Sequence, residues 1–227
     1  MKTLQRSFSC VLLALAMLLL QGCAQGYSAK PIEAWVVDAE TGKPLEGVNV
    51  VAHWELRAGI KDTKPYQLQI MEDVTDKNGR FFLPAWGPKE IPEHLHWEAR
   101  LENSDPGIVI FKSGYEVKGM QNNRPPTGTH GPSVRTSDWN GKTIQIRRFQ
   151  GDLQKYVLNI QGAQSYWMEE NCNWTRLPRM VLIWQKEVQM LKEKNITSQS
   201  FYTLSIDGLS RQTECGSARE FLKAYEK

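Results

Sequence analysis

The 227-residue sequence is short of catalytic signatures. It contains no Gly-x-Ser-x-Gly elbow, no His-Glu-x-x-His and no glycine-rich phosphate loop, so the common hydrolase, zinc-peptidase and nucleotide-binding readings have no motif to rest on. Its four cysteines include no Cys-x-x-Cys pair, which leaves a structural zinc site without its usual spacing. Charge of one sign is also missing. The 28 Lys and Arg nearly balance the 25 Asp and Glu, and the two are interspersed, which argues against nucleic acid or a polybasic membrane surface as partner. Carboxylates are plentiful, but none sits in a pattern that sets up a general acid and base, and nothing asks for a cofactor. There is no internal repeat, and past the N-terminus no apolar run is long enough to span a membrane.

What is present begins with that N-terminus. Lys2 and Arg6 give a positive start, Val11 to Leu20 is unbroken apolar, and Gly22 is the small residue a signal peptidase needs. The run is too short to cross a bilayer at 1.5 Å per residue, so residues 1–22 read as a cleaved signal. Leu20-Gln21-Gly22-Cys23 then resembles a bacterial lipobox, with Gln21 an unusual second residue. The resemblance implies acylation of the Cys23 thiol and of the new amine. Each buried methylene contributes about 0.8 kcal/mol, so two or more chains (palmitate among them) hold a protein stably on a bilayer. Ala24, rather than Asp, follows the cysteine, which by the family's sorting rule implies the outer membrane of a Gram-negative cell. The alternative is an ordinary secretory signal with another role for Cys23. Removing Lys2 and Arg6 brings the formal charge from +3 to about +1.

Cys10 leaves with the signal and Cys23 takes the lipid. Cys172 and Cys215 remain, and an oxidising compartment predicts a disulfide between them. Two buried thiols or half of a metal site are the alternatives. A bridge would close a loop of about 44 residues and contribute roughly 4 kcal/mol by loop entropy.

Along the mature chain, residues 23–30 read as a polar tether. Ile32–Asp38 is rich in β-formers and ends at Glu40-Thr41-Gly42-Lys43-Pro44, a turn sequence. Val48, Val50, Ala52, Trp54 and Leu56 alternate with Asn49, His53 and Glu55, the pattern of a half-buried strand. Gln67 to Thr75 alternates too, with Leu68, Ile70 and Val74 on one side. Asp76-Lys77-Asn78-Gly79 then predicts a hairpin returning along Arg80 to Leu83. The same four residues begin like a calcium loop but lack a glutamate at its twelfth position. Two further segments, His94 to Leu101 and Lys142 to Phe149, read as strands. Gly119 to Gly141 between them reads as a long loop, functional or merely mobile.

Three of these strings carry a resemblance. Asp38 to Val50 (DAETGKPLEGVNV), Thr75 to Phe81 (TDKNGRF) and Ile108 to Tyr115 (IVIFKSGY) resemble the carboxypeptidase regulatory-like, or prealbumin-like, β-sandwich. The match spans residues 31 to 117 and implies a mainly antiparallel β fold over 31–150. Such modules are accessory domains, so it implies no particular chemistry.

From Gly151 the period changes. Leu177, Met180, Val181, Trp184, Val188 and Leu191 mark one face of an amphipathic helix, with Pro178 in its first turn and Thr175 a candidate cap. Ser217 and Glu220 form a capping-box pair before a short last helix that buries Phe221, Leu222 and Tyr225. Residues 151–227 therefore read as a helical appendage, with the Cys172–Cys215 bridge pinning the two helix starts together.

Candidate sites are few. His94-x-His96-x-Glu98 would share one face of a strand, with His53 as a fourth ligand. Same-side residues stand about 7 Å apart, however, so the favoured reading is a polar strand face without metal. Of eight tryptophans, Trp86 and Trp139 fall in predicted loops, where they would stack on a sugar or a partner; Tyr115 and Arg124 are candidates beside them. The leading expectation is a non-enzymatic, outer-membrane-anchored binding or assembly module with a protein partner, facing the periplasm or the cell surface. A glycan- or peptidoglycan-binding lipoprotein using the loop aromatics is the alternative, and a metal-binding or hydrolytic enzyme comes third.

Overall fold

In a computed structural model of the chain, the described residues are 26–57, 65–95, 98–124, 133–162, 168, 170–196 and 205–226. The expected signal segment, Cys23, His96, Trp97 and the middle of the long loop lie outside them. The strands are β1 (Tyr27–Ala29), β2 (Ile32–Asp38), β3 (Asn49–Arg57), β4 (Tyr66–Val74), β5 (Arg80–Leu83), β6 (Trp86–Lys89), β7 (Arg100–Leu101), β8 (Gly107–Phe111), β9 (Lys118–Met120), β10 (Val134–Arg135) and β11 (Thr143–Ile146). The helices are α1 (Leu153–Gln161), α2 (Pro178–Glu193), α3 (Ile206–Leu209) and α4 (Ala218–Lys223).

The largest sheet runs β4-β3-β8-β9 with β7 also on β3, all antiparallel. Facing it are two smaller sheets, β11-β2-β5 and β10-β1-β6. In each of these the last strand returns to pair in parallel with an N-terminal one: Thr143↔Trp35 through Ile146↔Asp38, and Ser28↔Val134. Val50, Ala52, Trp54, Ile108 and Ile110 of the large sheet meet Ala34, Val36, Phe81 and Ile144 of the facing layer in one core. The chain is thus mainly β, a sandwich with a helical C-terminal region.

The helices are more than an appendage. They cover the outer face of the large sheet, where Val51, Ile70, Val109 and Phe111 join Trp174, Met180, Trp184 and Leu191 in a second core. This corrects the expectation of a half-buried β3. Asn49 and Glu55, assigned to its polar face, are buried because a third layer lies on that face. The regular alternation read for β4 fails for a different reason. A bulge sets Glu55 opposite Gln67 and Trp54 opposite Gln69, so Leu68 is an extra residue. Leu68 therefore enters the sandwich core and Ile70 the helix-side core.

The Asp76–Gly79 turn is present, but the strands it joins do not form a hairpin. β4 pairs with β3, and β5 pairs with β2, from Ile32↔Leu83 to Trp35↔Arg80. The Asp76 carboxylate accepts from the Asn78 and Arg80 amides, and Gly79 takes φ +73° with Val36 O 2.4 Å from where a Cβ would lie. That close approach locks the corner against β2 and sends the chain into the facing layer. Two more strands are shorter than read. Among the described residues of the 94–101 stretch only Arg100–Leu101 is extended, residues 92–95 forming a turn, and within 142–149 the strand is Thr143–Ile146, followed by an isolated bridge from Arg148 to Tyr115. At the N-terminus, β1 begins at Tyr27, inside the segment read as a tether.

The C-terminal half follows its period closely. All six apolar positions from Leu177 to Leu191 are buried on α2. Thr175 does not cap the helix; its hydroxyl donates to Cys172 O. The cap comes from across the molecule: the Glu72 carboxylate on β4 accepts from the Arg179 amide at 2.9 Å and the Met180 amide at 3.1 Å. A carboxylate on the positive end of a helix satisfies two otherwise unpaired donors. Arg176, just before, donates to Gln67 O and Gln69 Oε1. The Cys172–Cys215 disulfide is formed, and Ser217 Oγ accepts from the Glu220 amide at the start of α4. No helix among the described residues is long and apolar enough to cross a membrane.

Candidate functional site

The residues singled out from the sequence do not converge. Trp86 lies on β6 rather than in a loop, is 8% exposed, and packs edge-on against Trp54 with ring centroids 5.2 Å apart. Trp139 is half-buried in a turn, where its indole N–H donates to Gln121 O. Arg124 is close by, donating to Thr136 Oγ1 at 2.7 Å and lying 3.6 Å from Asp138. Tyr115 is elsewhere. Its hydroxyl donates to Asp38 Oδ2 and the Arg148 guanidinium covers its ring. Asp38 ends β2, whereas the Trp139 turn is tied to its start through Gly141 N–Glu33 O, so about 20 Å of strand separates the two. Each of these side chains already holds a loop or a core in place.

The three proposed ligands lose the strand they needed. His94 and Glu98 stand in turns, and His96 lies outside the described residues. The His94 ring meets Tyr66 edge-on at 5.7 Å and lines a 400 Å³ hollow with Glu170 and Glu214. His53 is held separately on β3, its Nδ1 3.0 Å from Gln67 Oε1 and its Nε2 lying where a side chain at Gly107 would stand. Burial pushes its pKa below the ordinary value, towards the neutral imidazole. Among the described residues no group of three His, Cys, Asp or Glu is placed to hold a metal ion.

Two buried polar clusters have structural work. The first is Asp38. Its Oδ1 accepts from the Glu40 and Thr41 amides and the Thr41 hydroxyl, closing the turn read in the sequence at Glu40 to Pro44. The Thr41 amide foremost, with the Tyr115 and Thr41 hydroxyls, holds its pKa down to about 2 against the upward push of burial. The second lies around Asp105 and Arg135, both buried, where β3, β7 and β10 meet. Asp105 Oδ2 accepts from the Glu55 amide, while Arg135 donates to Leu101 O and Glu102 O and covers the Tyr27 ring. Burial raises the Asp105 pKa well above the usual carboxylate range, and the Glu55 amide and Arg135 only partly oppose it.

Among the described residues a broad concavity lies in the helical layer. A 780 Å³ groove runs along α2 between its solvent-side residues and the α3 and α4 segment. Leu182, Met190, Ile206 and Tyr225 give it an apolar lining, and Tyr225 is 43% exposed. Lys186, Lys192 and Arg219 alternate with Glu193 and Glu226 around it. Two further lining residues, Trp184 and Gln185, carry buried donors (Nε1 and Nε2) that find no acceptor among the described residues. These atoms are themselves closed off from solvent, as are the unpaired indole nitrogens of Trp54 and Trp86 in the sandwich core.

The groove's frame is fixed from below. On α2, Glu187 is buried and accepts from Tyr156 Oη at 2.8 Å, while the same hydroxyl accepts from the Gly114 amide. Burial first, and then the Glu187 carboxylate, raises Tyr156 to about 12, so it stays a donor at any physiological pH. Asn159 on α1 accepts from Val117 N and donates to Tyr115 O, as a strand would. The groove was missed in the sequence because only the main apolar face of α2 was read. Leu182, Gln189, Met190 and Glu193, at spacings of seven, one and three, form a second stripe whose two apolar members were its signal.

No protein family matches the chain, and no curated protein does. Among solved structures it is similar to a 9R-lipoxygenase from Cyanothece (17% identity over 57% of this chain and 18% of that one, TM-score 0.27). It is similar also to a 3-chlorocatechol 1,2-dioxygenase from Rhodococcus opacus (21% identity, 57% and 63%, TM-score 0.32). A third likeness is to an alternative pilotin from the type II secretion system of Vibrio cholerae (14% identity, 54% and 98%, TM-score 0.28). At these TM-scores none carries an argument about what this chain does.

Proposed function

We propose that the protein is an outer-membrane lipoprotein whose carboxypeptidase regulatory-like sandwich presents the α2 groove to a segment of a protein partner, without catalysis of its own. The observation that carries this reading is the groove itself, apolar inside and edged by charges of both signs. A polypeptide segment supplies both complements at once, apolar and charged side chains. Cys23 is the lipid attachment point, and Ala24 after it directs the protein to the outer membrane. The glycan reading has less support, since Trp86 is buried and Trp139 already spends its N–H on Gln121 O.

The test is cross-linking of the acylated protein in intact cells from a photoreactive residue at Gln189. One stoichiometric protein adduct is expected. It should vanish in Met190→Glu and Leu182→Glu, which line the groove, while membrane fractionation and the cooperative thermal transition are retained at a lower midpoint, since both side chains also pack against the helix-side core. Adducts that survive both substitutions would overturn the groove as the contact. If tryptophan fluorescence answers soluble peptidoglycan fragments and that answer is lost on replacing Trp139, the glycan reading takes its place. Separately, Cys23→Ser should move the protein out of the membrane fraction.

A further inference from the structure

The position of the first strand limits how the protein can stand on its membrane. This inference rests on acylation at Cys23. β1 starts at Tyr27, and Gly26 is already packed, 3.3 Å from Pro88 Cβ by the position its own Cβ would take. Only Ala24 and Gln25 lie between the lipid-bearing cysteine and Gly26. Three residue steps extend at most about 10 Å. Gly26, immediately before β1, is therefore held within about that distance of the headgroups.

Its neighbours are set by register. Tyr27 lies opposite Lys89 at the end of β6, and Ser28 opposite Val134 at the start of β10. Val134 is a large apolar side chain left 46% exposed. The helices lie on the other side of the molecule. β1 belongs to the layer facing the large sheet, and no residue of β1, β2 or β6 enters the helix-side core. Stacked layers are about 10 Å apart and a helix adds a further 10–12 Å, so the outer face of α2 stands more than 20 Å from β1 across the layers. A reach of about 10 Å cannot lay that face on the bilayer.

α2 also runs away from the anchored edge. Its entry is beside that edge, because Arg176 and Lys89 both donate to Gln69 Oε1. Its later turns reach the opposite end of the large sheet, where Glu187 and Gly114 share the Tyr156 hydroxyl. We infer that the edge made by the starts of β1 and β10 and the end of β6 is a lipid-facing surface, seated on the bilayer that holds the anchor, and that the α2 groove is thereby turned away from the lipid toward its partner.

The acylated full-length protein, reconstituted in phosphatidylethanolamine–phosphatidylglycerol vesicles, tests this with photoreactive residues at Val134 and, separately, at Gln189. Lipid adducts are expected at 134 and none at 189. Inserting a flexible twelve-residue Gly-Ser segment between Gly26 and Tyr27 should abolish the adduct at 134 while leaving acylation intact. Equal adducts at both sites, or an adduct at 134 unaffected by the insertion and also seen with the unacylated Cys23→Ser protein, would overturn the seating. Absence of lipid on Cys23 by mass would instead defeat the anchor on which it depends.

Discussion

Asp38 and Asp105 are both buried carboxylates, yet their surroundings drive them in opposite directions. Asp38 meets amide and hydroxyl donors and is held near 2, below its ordinary 3.8. Its contribution to stability is therefore present above pH 3.8 and lost as the pH falls through about 2. Asp38→Asn should lower the thermal midpoint at pH 7 and flatten its fall in acid, which a melting series from pH 2 to 7 reads directly. Asp105 is raised, so its favourable share is complete below pH 3.8 and is lost as the pH rises through its elevated value. Asp105→Asn keeps an acceptor for the Glu55 amide and sheds the charge. Its melting temperature relative to the wild type should climb as the pH rises from 4 to 8; a constant difference would refute the assignment. The Asp38 role was readable in the sequence, because D-x-x-T-G is a local turn. The Asp105 role was not, because its partners come from residues 50 and 30 positions away.

At the level of elements, the joint between β4 and α2 matters most. Glu72 replaces the absent side-chain cap of α2 and ties helix to sheet in one contact. Glu72→Ala leaves two amides without their acceptor and should cost about 2 kcal/mol, seen in chemical denaturation, with Glu72→Gln costing less. Local patterns carried much of the architecture: the extent of β2, the face of α2 and the Ser217 cap all lie within short windows and obey them. The failures share a cause. The β3 alternation, the Asp76–Gly79 hairpin and the Thr175 cap were each decided by a distant segment that supplied a layer, a pairing partner or an acceptor. The groove was half legible, as the second stripe on α2, but its other wall comes from α3 and α4, far along the chain.

For the whole molecule, the helical layer is bound to the sandwich by a shared core and tied within itself by one covalent bridge. Replacing Cys172 and Cys215 by serine should cost about 4 kcal/mol by loop entropy, less any strain relieved. Amide exchange should then show α3 and α4 opening before the strands, because the disulfide links Cys215 ahead of α4 to the segment that leads into α2. The parallel closures of the two small sheets bear on a different matter, the order of events as the chain emerges. β1 and β2 are synthesised before the other strands, yet each must wait for a partner more than a hundred residues later, Val134 for Ser28 and Thr143 for Trp35. Until then one side of each strand is an open edge, and contacts this distant form slowly. A chaperone that shields extended segments would therefore act on these first strands before residue 143 emerges, and a truncation ending earlier should aggregate where the full chain folds.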